Sequence, residues 1–165
     1  MSEALTLDGG EDLGRALERF VSHFAGFEGR MLRSIGVSLV QKSKEHFAQE
    51  SGPDGTPWLQ SRRAKEAGGK TLQDSRILYT SLSYYRDAAG NLITGSPLEY
   101  ARIHNRGGII KPRPESGKKA LHFGGVIRAQ VVIPKREYLG WGPGEIRVVN
   151  DVLKDLAKTL SKEGV

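Results

Sequence analysis

The stretch Ser51-Gly52-Pro53-Asp54-Gly55-Thr56-Pro57 constrains this chain more than any other. Two Pro, two Gly and an Asp in so short a span prevent a regular element from running through it. Everything ahead of it is patterned for helix. From Glu11, the residues Leu13, Leu17, Phe20, Val21 and Phe24 share one face at a 3.6-residue period. From about Glu28 to Gln49, Met31, Leu32, Ile35 and Leu39 share an arc, with Val40 and Phe47 beside it. Gly26 and Gly29 around Phe27 predict a break between two helices, the second about 30 Å long. Residues 1–10, ending in Asp8-Gly9-Gly10, read as a flexible leader.

Behind the turn the pattern shortens. Trp58 reads as an aromatic sealing the edge of a core. Residues 61–70 are basic, contain Gly68-Gly69 and read as an exposed connection, with a short helix or turn near Leu72 to Leu78. Leu82-Ser83-Tyr84-Tyr85-Arg86 and Leu92-Ile93-Thr94 have strand composition around the turn signal Ala89-Gly90-Asn91. Pro97 to His104 predicts a short helix with Pro in its first turn, closed by Gly107-Gly108. Residues 109–119 hold two Pro, a Gly and the cations Lys111, Arg113, Lys118 and Lys119, which predicts a mobile loop. Leu121-His122-Phe123 and Val126 to Ile133 read as two further strands bent at Gly124-Gly125.

Gly142-Pro143-Gly144 then introduces a helix whose apolar face is Ile146, Val149, Val152, Leu153, Leu156 and Leu160. The order predicts an α+β fold rather than a βαβ series. Its parts are two N-terminal helices, a small antiparallel sheet with a short inserted helix, and a C-terminal helix packed on the sheet. All of it is expected in one domain over 11–165.

At 165 residues, 38% of them hydrophobic, one ordinary core can be built. The absence of Cys excludes a disulfide framework, a thiol nucleophile and a cysteine zinc site. Apolar runs fall far short of the roughly 20 residues that cross a bilayer. Met1-Ser2-Glu3-Ala4 is acidic and does not begin a secretion signal. A soluble protein of a reducing compartment is expected.

The net charge of +6 is unevenly spread: 6 basic and 9 acidic side chains over 1–60, 15 and 6 over 61–140, and 4 of each over 141–165. A basic middle suits phosphates or an acidic partner, or is simply a set of solvated loops. No aromatic residues interleave with the cations as single-strand binders require.

Catalytic patterns are missing. His23, His46, His104 and His122 lack metal-ligand spacing. His23 and His46 read as surface or helix-edge residues, and His104 as a side chain hydrogen-bonded to nearby backbone. No Gly-x-Ser-x-Gly elbow occurs. Gly140-Trp141-Gly142-Pro143-Gly144 lacks the phosphate-loop spacing, and Pro143 removes an N–H such a cradle would use. Trp141 there either seals a core edge or anchors a partner.

Three separated patches carry a resemblance. The first runs from Phe47-Ala48-Gln49-Glu50 through Pro53, Gly55 and Pro57 to Trp58. The second is Leu72-Gln73-Asp74-Ser75-Arg76-Ile77-Leu78-Tyr79-Thr80-Ser81-Leu82 with the strands behind it, ending in Tyr100-Ala101-Arg102-Ile103-His104-Asn105-Arg106-Gly107. The third is Ile133-Pro134-Lys135-Arg136-Glu137-Tyr138-Leu139-Gly140 and the closing helix. In this order they resemble the phage virion morphogenesis family, the tail-completion proteins of Mu-like and related tailed phages, over about residues 11 to 161. Arg76 stands where Gly is common in that family, which puts the local turn geometry in question, and Asn105 replaces a frequent Gln.

The resemblance marks Pro53, Gly55, Trp58, Tyr100, Ala101, His104, Gly107, Pro134, Arg136, Leu139 and Gly140 as motif positions with structural or assembly roles. It implies a non-enzymatic virion protein without cofactor or metal, made in the host bacterial cytoplasm and placed in the tail–neck region. Its implied partners are other tail and neck proteins and further copies of itself in a ring, in similar proteins often of six. DNA would pass nearby without sequence-specific binding, and no membrane is involved. Lys111, Arg113, Lys118 and Lys119 are the candidate interface loop, expected to order on assembly. The alternative from another class is a nucleic-acid-binding protein using the basic 61–140 segment. A hydrolase built on His104 is a third.

Overall fold

The computed structural model describes residues 10–113, 119–123 and 125–162, with side chains over 26–113, 119–122 and 125–159. One helix, α1 (Gly10–Gln49), takes up the whole N-terminal pattern and is about 60 Å long. The expected break at Gly26 and Gly29 does not occur. Each Gly costs a helix interior about 1 kcal/mol relative to Ala, but Glu28, Arg30, Met31 and Leu32 around them are good helix formers and no Pro interrupts the run. The helix ends at the turn, where Glu50 takes a left-handed conformation (φ 52°).

The turn itself closes on its own hydrogen bonds. Gly52 N–H donates to Thr56 O at 2.8 Å, and the Asp54 carboxylate accepts from Thr56 N and Oγ1 at 2.9 and 2.8 Å. These bonds hold the Asp54 carboxyl below its ordinary range. Ser51 then bridges to Pro57, and Trp58 N–H returns to Glu50 O.

The basic connection that follows contains a short helix, α2 (Arg62–Ala67), capped by Ser61 Oγ, which accepts from Ala64 N. Next comes α3 (Ile77–Thr80), preceded by Arg76 at φ 58° and ψ 7°. The position the resemblance singled out is thus left-handed backbone occupied by Arg.

Strands β1 (Ser83–Arg86) and β2 (Leu92–Gly95) pair antiparallel, Ser83 opposite Gly95 and Arg86 opposite Leu92, as the Ala89-Gly90-Asn91 signal predicts. Asp87 builds the turn by accepting from Ala89 and Asn91. After α4 (Ala101–Arg106), β3 (Gly108–Ile110) pairs with the distant β6 (Val131–Ile133), while β4 (Leu121–Phe123) pairs with its neighbour β5 (Val126–Arg128).

The described strands therefore form three two-stranded ladders in place of one small sheet. The expected strand from Val126 to Ile133 is split, since its two halves pair with different partners. Ile109 and Ile110 of the expected mobile loop at 109–119 belong to β3, and residues 114–118, Lys118 among them, lie outside the described residues. So does the leader, apart from Gly10, which opens α1.

The closing helix α5 (Pro143–Lys162) begins where Gly142-Pro143-Gly144 predicts. It lies along α1 and not on a sheet. The reason is size: 20 residues of helix run about 30 Å, whereas a ladder of three or four residues spans about 10–13 Å. The β1–β2 hairpin packs on α1 as well, at Gly36, where the Tyr84 ring comes within 2.5 Å of where a Cβ would stand.

At the end of α1, Phe47 is fully buried at the centre of the core. Its ring meets Trp58, Tyr79 and Tyr138 at centroid distances of 5.4, 5.8 and 4.9 Å, with Leu78, Leu82 and Ala101 completing the cluster.

Candidate functional site

The three motif patches, far apart in the chain, meet on the segment 134–142. This segment has no regular structure, so its backbone groups must find partners elsewhere, and they find them in the other two patches. Trp58 Nε1 donates to Glu137 O at 3.0 Å, and Arg136 Nε donates back to Leu59 O at 2.8 Å. Arg136 N donates to His104 O at 2.9 Å. Tyr138 Oη donates to Ala101 O at 2.7 Å, deep in the core, and burial pushes the phenol up to about 12.

Asn105 completes the clamp from α4. Its Oδ1 accepts from the N–H groups of Tyr138 and Leu139 at 2.8 and 2.9 Å, and its Nδ2 donates to Leu139 O at 3.0 Å. A single amide side chain thus satisfies three backbone groups of a coil. Sequence reasoning had marked Asn105 only as a departure from the family pattern.

Two glycines make the close approach possible. At Gly142 a Cβ would overlap the Pro53 carbonyl, so only Gly lets the first and third patches touch there. At Gly107 the backbone is left-handed (φ 71°), and a Cβ would stand 2.8 Å from Lys135 N. Gly140 rests beside Pro53 Cγ, with Leu139 half-buried next to it. The remaining motif positions lie around this hub. Pro53 and Ala101 are buried, Pro134 is half-buried, Gly55 is on the exposed tip of the turn and Tyr100 is at the rim, edge-on to His104 at 5.9 Å.

The candidate interface loop lies elsewhere. Lys111 and Lys119 are exposed, and Arg113 is exposed with its Nη2 3.8 Å from Glu99 Oε1.

Two histidines depart from their expected settings. His46, expected at the surface, is 4% exposed, and its Nε2–H donates to Glu145 Oε1 at 2.6 Å. The other oxygen, Glu145 Oε2, accepts from Gly142 N–H at 3.0 Å, so the same carboxylate caps the start of α5. No local pattern reveals this, because the two residues are 99 positions apart. His104, expected to hydrogen-bond nearby backbone through its side chain, leaves Nδ1 buried without a partner. Its backbone is used instead: the N–H donates to Tyr100 O at 3.3 Å and the carbonyl accepts from Arg136 N.

Burial, reinforced by the Arg136 charge, holds the His104 imidazole below its ordinary value. Protonation therefore favours the unfolded chain. The stability owed to neutral His104 is complete above the unfolded value of about 6.5 and is lost as pH falls through the lower folded one. His104→Asn is expected to flatten this acid slope. Urea midpoints at pH 7.5 and 5 should differ less in the variant than in the parent, and an identical difference would refute the assignment.

The chemistry of the hub is that of a scaffold. Apart from His104 Nδ1, the polar groups named above are paired within it, and Arg136, 6% exposed and with its charge disfavoured by burial, donates through Nε to a carbonyl. Among the described residues, no group of three or more His, Asp or Glu could hold a metal ion, and no helix is long and apolar enough to cross a membrane.

No curated protein and no solved structure matches the chain. The model of one family matches residues 8–158, a span that takes in the whole hub and the helices it ties together: the chain belongs to the phage virion morphogenesis family.

Proposed function

We propose that this virion assembly protein completes the tail at its head-proximal end and joins it to the head, working in the neck as a ring of identical copies. The observation that carries the reading is a pair of separate apolar surfaces on different elements. On the β3–β6 ladder, Ile109 faces Val132 across the strands, 55% and 64% exposed, while Val131 and Ile133 of the same strand are buried. At the entry to α5, Trp141 is 70% exposed. A ring built from one chain needs two different faces that fit each other, and large apolar side chains left in water mark contact surfaces. Such a part works by contact alone, without catalysis, cofactor, membrane or sequence-specific DNA binding. The basic loop around Lys111 and Arg113 adds a polar rim.

The test is electron microscopy of lysates from a phage lacking the gene. Full heads beside free tails of normal length are expected. Tails of uncontrolled length would move the role to termination, empty or unstable heads would move it to the head side, and normal infectious particles would overturn it.

A further inference from the structure

At the C-terminal end of α1 an open depression of about 390 Å³ is lined by Ala48, Lys70, Gln73, Arg76 and Tyr79. Tyr79 lines it with the Arg76 guanidinium 5.0 Å from its ring centroid, and Lys44, outside the lining, places its ammonium 5.4 Å from the same centroid. Lys70 stands at the wall, its Nζ donating to Ala48 O at 2.6 Å and keeping two donors to spare. Among the described residues none of these three cations has a carboxylate within ion-pair distance. The nearby acids are engaged elsewhere, Asp74 with Arg63 at 3.6 Å and Glu50 with the N–H of Thr71 at 2.6 Å. An anion held between Lys70 and Arg76 is attracted by both charges.

Backbone strain gathers at the same place. Among the described residues the three non-glycine positions with positive φ are Glu50, Leu72 and Arg76, at 52°, 61° and 58°, all on the segments that bound this depression. Such strain persists where the surroundings enforce it and is concentrated at functional sites. At position 76 it is avoidable, because Gly adopts this conformation freely. What Gly would lack is the guanidinium over Tyr79.

We infer that this depression is a docking site for an acidic segment of a partner protein, whose carboxylates settle between Lys70 and Arg76. The inference rests on the assembly reading, since it names the chemistry of one contact such a protein makes. A peptide fits better than DNA. Duplex DNA carries a charge every 1.7 Å or so along its axis and is held by cations strung along it, whereas Lys70 and Arg76 flank a single depression. The negative end of α1, which would repel a carboxylate, is already covered by Lys70 on Ala48 O and by Gln73 Nε2 on Phe47 O at 2.6 Å.

The test measures fluorescence anisotropy of a labelled oligoglutamate peptide and of a labelled short DNA duplex with the purified full chain at low salt. The peptide is expected to bind more tightly than the duplex. Arg76→Gly should weaken it about tenfold, the loss of one charge-assisted contact, while the unfolding midpoint stays at or above that of the parent. Lys70→Gln should weaken it similarly, and Lys158→Gln, on the exposed face of α5, should not. No peptide binding, or equal binding by the parent and Arg76→Gly, would overturn the site. Tighter duplex binding would overturn it in favour of nucleic acid. None of these results touches the assembly reading, which falls only if particles lacking the gene are normal.

Discussion

Phe47→Ala is expected to lower the unfolding free energy by about 3–5 kcal/mol, a large share of the roughly 5–15 kcal/mol that holds a typical domain together. Phe47 has no exposed surface, and three aromatic rings lie against it. The upper part of the range applies because two of those rings are tethered and cannot relax into the void. Trp58 is held through Nε1 by Glu137 O, and Tyr138 through its hydroxyl by Ala101 O. Urea denaturation measures the loss. A fall below about 1.5 kcal/mol would mean that the cluster collapses on itself and that the tethers are weaker than their geometry. Val37→Ala, on the same helix but 53% exposed, is the matched control and should move stability by no more than about 0.5 kcal/mol.

Glu145→Ala is expected to cost a comparable amount, about 3–5 kcal/mol, by a different route. Its carboxylate is 6% exposed and serves His46 Nε2 and the Gly142 N–H at once. Removing it leaves two buried donors unpaired and loosens the start of α5 from the end of α1. His46→Ala should cost less, since the carboxylate keeps the Gly142 bond. A double-mutant cycle should then give a coupling of about 1–3 kcal/mol between the two positions. Additive losses would show that the contact contributes nothing of its own.

What the sequence made legible was local. Ile35, on the arc read at the helical period, is buried, as is Phe47 read beside that arc, and the β1–β2 hairpin followed from Ala89-Gly90-Asn91. Trp58 was read as a core-edge residue and is 8% exposed. The start of α5 was marked by Gly142-Pro143-Gly144. What was not legible depends on distant partners. Val126 to Ile133 looks like one strand until β3, whose Gly108 lies opposite Ile133, claims its second half. His46 looks like a helix-edge residue until Glu145 arrives. Gly26 and Gly29 carry a breaking signal that a long run of helix formers outweighs. The motif positions were visible as a list, but their meeting on 134–142 was not, because no spacing rule links a coil to the side-chain amide of Asn105.

Dependence on that one coil also sets the order in which the chain can become a protein. The helix α1, the turn behind it and the β1–β2 hairpin leave the ribosome first, well ahead of α5, which packs along α1. The segment that joins them is made late. Until Tyr138 exists, Phe47 lacks one wall of its pocket and the Trp58 indole has no carbonyl to hold; until Glu145 exists, His46 is an unpaired polar group on an apolar face. A nascent chain stalled before Pro134 therefore displays its aromatic cluster to the cell. The core is complete only once 134–145 has been made, and a product truncated before it leaves Phe47 without Tyr138 and Trp58 without Glu137 O.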